Sequence, residues 1–148
     1  MWLYQDKEIK SIEDFGELLP FGFIYRITNL ENNKFYIGKK QLISKTNVKL
    51  GKKEKALLPT QRGRAKSKKL VEKESNWLSY WGSCKPLLED IKTLGDSKFK
   101  REIIMICHSK KMLTYWEAAF QIKEDVLLKD NNYNDTVFSH FYRRDFGL

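Results

Sequence analysis

The chain is poor in cysteine, histidine and proline, with two, two and three of them among 148 residues. Cys84 and Cys107 stand apart without Cys-x-x-Cys spacing, and His108 and His140 complete no zinc pattern, which speaks against structural zinc. Cys107 closes the run Ile103-Ile104-Met105-Ile106-Cys107, where a free thiol serves as a small hydrophobe. No partner for a cysteine nucleophile stands out. No apolar run approaches membrane-spanning length, and Met1-Trp2-Leu3-Tyr4-Gln5-Asp6 lacks the basic-then-apolar order of a secretion signal. A soluble, cytoplasmic protein without a membrane partner is expected. With 41% hydrophobic and 32% charged residues the composition is that of a globular chain. Residues 1–148 read as one domain.

Positive charge is in excess, and it is concentrated. The net charge is +9, yet between Lys39 and Lys73 thirteen Lys and Arg stand against Glu54 and Glu72, a local +11 that leaves −2 for the rest. A segment of this kind suits a polyanion, because each neutralised phosphate releases condensed counterions. The alternative is a solvated loop, which charge runs often are. Apolar periodicity disappears over residues 44–74, and Gly51, Pro59 and Gly63 interrupt the segment, so an irregular basic insertion is expected. Lys39, Lys49, Lys52, Lys53, Lys66, Lys68 and Lys69 are the candidate nucleic-acid contacts.

The remaining elements follow from local pattern. Residues 1–20 read as an N-terminal extension in which Ser11 caps a short helix ending before Pro20. Asn29-Leu30-Glu31-Asn32-Asn33-Lys34 supplies the turn of a hairpin spanning about Phe21 to Leu42. Trp77, Tyr80 and Trp81 fall at helical spacing and read as a core stripe. A helix is expected over Lys85–Leu94, with Pro86 in its first turn and Gly95 as its stop. A strand follows over Phe99–Cys107. Ser109 caps a last helix, about Lys110 to Leu128, with Met112, Leu113, Trp116, Ala119, Phe120 and Leu127 on its apolar stripe. Residues 135–148 form a C-terminal tail. The expected fold is α/β, a small three-stranded antiparallel sheet flanked by helices, with the basic insertion after its second strand.

Within the hairpin, Phe23-Ile24-Tyr25 and Tyr36-Ile37-Gly38 place two tyrosines eleven positions apart. Alternation along paired strands lets both phenols point the same way. Tyrosine also favours strands for packing alone. Glu117, in Tyr115-Trp116-Glu117-Ala118-Ala119, sits at the border of the last helix's apolar stripe, where a carboxylate is partly enclosed yet reaches an open surface.

Together with Asn134 in Tyr133-Asn134, these elements resemble the GIY-YIG nucleases, over about Gly22 to Asn134. The first element departs from the family name: Phe23 stands where it has glycine, with Gly22 beside it. The resemblance implies a metal-dependent DNA endonuclease like the small phage-encoded enzymes, acting within the host cell if phage-encoded. It makes Glu117 the ligand of Mg²⁺ or Mn²⁺. Tyr25 would position or deprotonate the attacking water, helped by Lys39 and Lys40, whose charge favours phenolate. Tyr36 would bind the nucleophile or a phosphate oxygen, and Asn134 would orient Glu117 or a phosphate. The family also carries an arginine on a helix soon after its second element; here Thr46 stands ten residues past Tyr36, and the next arginines are Arg62 and Arg64. One of these, or Lys40, would then stabilise the transition-state charge. The partner is DNA, expected to be duplex, cut by a homodimer or in two successive events. The runner-up is a weakly active or inactive nucleic-acid-binding protein on the same scaffold. A third reading, weaker still, is a protein that contacts acidic protein surfaces.

Overall fold

Asparagine side chains turn the tyrosine hairpin. Asn29 Oδ1 accepts the Glu31 N–H and Asn32 Oδ1 accepts the Lys34 N–H, each at 2.9 Å, while Asn33 adopts φ 61°. The computed structural model describes residues 1–57, 63 and 67–148. Its strands are Trp2–Tyr4 (β1), Lys7–Ile9 (β2), Gly22–Asn29 (β3), Phe35–Gln41 (β4), Ile43–Lys49 (β5), Lys68–Glu74 (β6), Phe99–Cys107 (β7), Thr136–Val137 (β8) and Phe141–Tyr142 (β9). Its α-helices are Lys52–Ala56 (α1), Lys85–Leu94 (α2) and Lys110–Lys123 (α3). No described helix is long and apolar enough to cross a membrane.

One compact unit comprises Met1–Leu42 and Asn76–Leu148. Its sheet has five strands in the order β2-β1-β7-β3-β4, not the three expected, and it is mixed: β1 runs parallel to β7 and the other pairs are antiparallel. The two extra strands come from the residues read as an extension. Gln5 and Asp6, at φ 49° and 64°, make their turn. Trp2 anchors them, with no exposed surface, its ring 5.1 Å from Phe23 and 5.4 Å from Tyr25, and its Nε1 donating to the Trp77 carbonyl at 2.8 Å. Strands of three residues are too short to display an alternation.

The sheet is apolar on both faces. On one, Ile24, Phe35, Ile37 and Cys107 pack with Leu113 and Ala118 of α3. On the other, Trp2, Phe23 and Tyr25 meet edge-to-face, with Trp77 beside Phe23. Trp77 to Ser79 form a single 3-10 turn, and Tyr80 is extended rather than on a continuing helical stripe. Ser109 Oγ accepts the Met112 N–H at 3.1 Å and starts α3. That helix ends at Lys123, short of Leu128, and Asp125 follows at φ 51°. Met112 is 45% exposed; Leu113, Ala118 and Gln121 are the buried positions.

The second unit is Ile43–Ser75. Expected to be irregular, it contains a two-stranded antiparallel ribbon, β5 against β6, in register from Ile43↔Glu74 to Lys49↔Lys68, followed after β5 by the short α1. Leu50 is its only buried apolar residue among those described. A ribbon that buries neither face leaves no period in the sequence, and its ladder rests on main-chain pairing. Arg62, Arg64 and Lys66 lie outside the described residues.

Candidate active site

Register brings the two phenols together. Tyr25 pairs with Gly38 and Tyr36 with Ile27, so both side chains leave the same face, with ring centroids 6.1 Å apart. A Cβ on Gly38 would lie 2.5 Å from the Tyr25 hydroxyl oxygen and 2.9 Å from Tyr36 Cε1. Only glycine leaves room for the phenol to cross β4 there. Gly82, at φ 89°, closes over the same atoms; its Cβ would stand 3.4 Å from both. Tyr80 meets the Tyr25 ring edge-on at 6.1 Å.

This enclosure sets the protonation state. Tyr25 is 1% exposed, and burial, reinforced by Tyr36, Tyr80 and Glu117, holds its phenol well above the usual range. Burial also pushes Tyr36 up to about 12, aided by Cys84, Glu117 and Tyr80 and opposed by the Ser83 hydrogen bond. Burial and neighbouring acidic groups raise both phenols, against the help expected from Lys39 and Lys40. Lys40 Nζ donates to Asn76 Oδ1 at 2.7 Å and sits 4.0 Å above the Tyr80 ring, and burial lowers its pKa. Lys39 alternates to the α3 face, with Nζ 3.6 Å from Glu117 Oε1 and 3.3 Å from Thr114 Oγ1.

Glu117 falls one turn after Leu113 and one before Gln121, on the buried side of α3. Its side chain is 20% exposed, and burial raises its pKa against the counter-charge of Lys39. Among the described residues no three His, Cys, Asp or Glu side chains cluster as a metal cage. A single enclosed carboxylate, neutralised only by a loosely placed ammonium, fits a hard divalent ion that keeps waters and takes phosphate oxygens as further ligands.

Asn134 takes a different place from the one expected. Its Oδ1 accepts the Ile37 N–H at 2.9 Å and its Nδ2 donates to the Ile37 carbonyl at 2.8 Å. Gln121 Nε2 donates to the same carbonyl at 3.0 Å. β4 is an edge strand, and these amides satisfy the outward-facing groups of the residue between Tyr36 and Gly38. Arg143 in turn donates to the Asn134 carbonyl from Nε at 3.2 Å and Nη2 at 3.0 Å. Asn134 thus braces the strand, its amide engaged by backbone rather than by Glu117.

Several partners were not foreseen. Arg101, 5% exposed, donates from Nη1 to the carbonyls of Leu78 at 3.1 Å and Tyr80 at 2.8 Å, with its guanidinium 4.5 Å from the Trp2 ring and 4.1 Å from Trp81. Burial lowers its pKa to about 10. It fixes the loop that carries Tyr80. An arginine at an alternating apolar position of a strand was the available signal. Gln121 and Tyr80 gave none, since their partners are distant in sequence. Of the candidate lysines, Lys69 pairs with Glu54 at 2.8 Å, while Lys49, Lys52, Lys53 and Lys68 are exposed.

The family model described as "Putative endonuclease segE, GIY-YIG domain" matches residues 2–143. No curated protein and no solved structure matches the chain.

Proposed function

The chain belongs to the GIY-YIG endonuclease family of that segE model, and from this premise we propose that it is a divalent-metal-dependent enzyme hydrolysing phosphodiester bonds of duplex DNA. The observation that carries the reading is the convergence of Tyr25 and Tyr36 over Gly38, close enough to Glu117 that its charge helps raise both phenols.

Glu117 would hold Mg²⁺ or Mn²⁺, which when bound supplies Lewis-acid polarisation of a phosphate oxygen and steadies the leaving 3′ oxygen. Tyr25 acts as a neutral hydroxyl that orients the attacking water, because burial makes phenolate costly. Tyr36, likewise neutral, donates to a phosphate oxygen. Lys40, on the phenol face of β4, is one candidate for the transition-state cation; Arg62 and Arg64 are the others. Asn134 and Gln121 act through β4, holding the main chain on which Tyr36 and Gly38 depend. Lys39, Lys49, Lys52, Lys53, Lys66, Lys68 and Lys69 contact DNA phosphates. Cleavage of both strands proceeds through a homodimer or two successive nicks.

The protonated phenols also favour a second reading, a DNA-binding protein with little or no catalysis. Incubation with supercoiled plasmid separates the two. Nicked or linear product that requires Mg²⁺ is expected. A salt-sensitive mobility shift without cleavage supports the second reading, and neither result leaves binding to acidic proteins.

A further inference from the structure

The basic ribbon has two unlike faces. Side chains alternate along each strand and cross-strand partners share a face. Val48 and Lys69 lie on one, and there Lys69 is tied to Glu54 of α1 at 2.8 Å. The other carries Lys45, Asn47 and Lys49 on β5 opposite Glu72, Leu70 and Lys68 on β6, and all six are exposed. Lys45 is matched by Glu72 at 3.3 Å, which concentrates the net positive charge at the Lys49–Lys68 end. At the centre stands Asn47 opposite Leu70, the latter 57% exposed. A two-stranded ribbon with no buried face is only marginally stable alone.

Size and chemistry identify what covers it. Seven residues span roughly 24 Å at about 3.4 Å each, and a two-stranded ribbon is admitted by a DNA major groove about 12 Å wide. Asparagine is the side chain that pairs bidentately with the adenine edge, and an apolar group suits the thymine methyl. Resting on the DNA-endonuclease reading above, we propose that this face enters the major groove, with Asn47 on an adenine and Leu70 on a thymine methyl. Lys49 and Lys68 hold the flanking phosphates. The ribbon then selects the site, a role separate from cutting.

The test uses the whole chain. A binding selection from randomised duplexes should return an A·T preference at one or two positions. In the selected duplex, 7-deazaadenine removes the N7 acceptor and uracil removes the thymine methyl, and each should weaken wild-type binding by about five- to a hundredfold at its position. Asn47→Ala should bind the deazaadenine and normal duplexes alike, and Leu70→Ala should ignore uracil. Lys49→Ala and Lys68→Ala should weaken all sequences equally and flatten the log–log salt dependence by roughly 0.9 each. DNA binding and cleavage without base preference, or a preference that survives Asn47→Ala, overturns the ribbon assignment alone. Absence of both DNA binding and cleavage overturns the endonuclease reading along with it.

Discussion

Tyr25 is 1% exposed among Gly38, Tyr36 and Tyr80, whereas Lys49, Lys68 and Leu70 of the ribbon all face solvent. In the pocket, position is dictated by neighbours down to a single missing Cβ, and the same burial that fixes the phenols keeps them protonated. On the ribbon, Lys49 and Lys68 carry their charge into solvent. Groups that act on a reacting bond gain from a water-excluded, prearranged setting. Groups that meet phosphates gain from exposure and tolerate individual loss. Damage in the pocket should therefore appear in rate or stability, and damage on the ribbon in affinity.

The sharpest break is Glu117→Gln, which keeps shape and removes the carboxylate. Cleavage should fall by about 10³-fold with DNA affinity nearly unchanged, read by single-turnover assay beside mobility shift. Full activity would remove Glu117 from the reaction. Tyr25→Phe should lower the saturated rate by about 10²-fold while preserving ring packing. If thermal unfolding drops instead and the rate holds, the hydroxyl serves only the packing of the pocket. Asn134→Ala leaves the Ile37 N–H without its partner and should cost about 2 kcal/mol in urea unfolding. Activity should decline in step with the strand rather than ahead of it.

The phenols also set a pH dependence. Tyr36 stays protonated in the fold up to about 12, while in the unfolded chain it loses its proton near the ordinary 10. Its contribution is whole below pH 10 and is lost as pH rises toward 12, at about 1.4 kcal/mol per unit. Tyr36→Phe should flatten the fall in unfolding midpoint between pH 10 and 12. The smallest single effects belong to the ribbon. Lys49→Ala should reduce affinity only a few-fold at moderate salt and leave saturated turnover intact. A loss of turnover there would dissolve the division between the two regions.

How much of this could be read in advance depended on whether a residue's role is local. Pro86 and Gly95 bound α2 at Lys85–Leu94, and the apolar run gives β7 as Phe99–Cys107. The tyrosine hairpin was equally legible, because turn asparagines and alternation lie within twenty residues. β1 and β2 were not, since three-residue strands carry no period and Trp2 reveals its burial only against Phe23 and Trp77. The ribbon escaped because neither face is buried. Asn134 was singled out by family likeness, but its hydrogen bonds to Ile37 reach across 97 residues. Tyr80 reads as packing, and its ring does pack, edge-on against Tyr25 and under Lys40, partners too distant in sequence to be read from a local pattern.

The place of β7, between β1 and β3, has a consequence for synthesis. A nascent chain that has reached Lys98 contains two of the strand pairs of the five-stranded sheet, β2 with β1 and β3 with β4, and no strand to join them. Only when Phe99–Cys107 has left the ribosome does β3 gain its second neighbour, and only then does Arg101 arrive to draw in the Tyr80 carbonyl. Pairings this distant are slow to close. The pocket is consequently among the last parts of the molecule to exist, and translation to the final third of the chain gates its appearance.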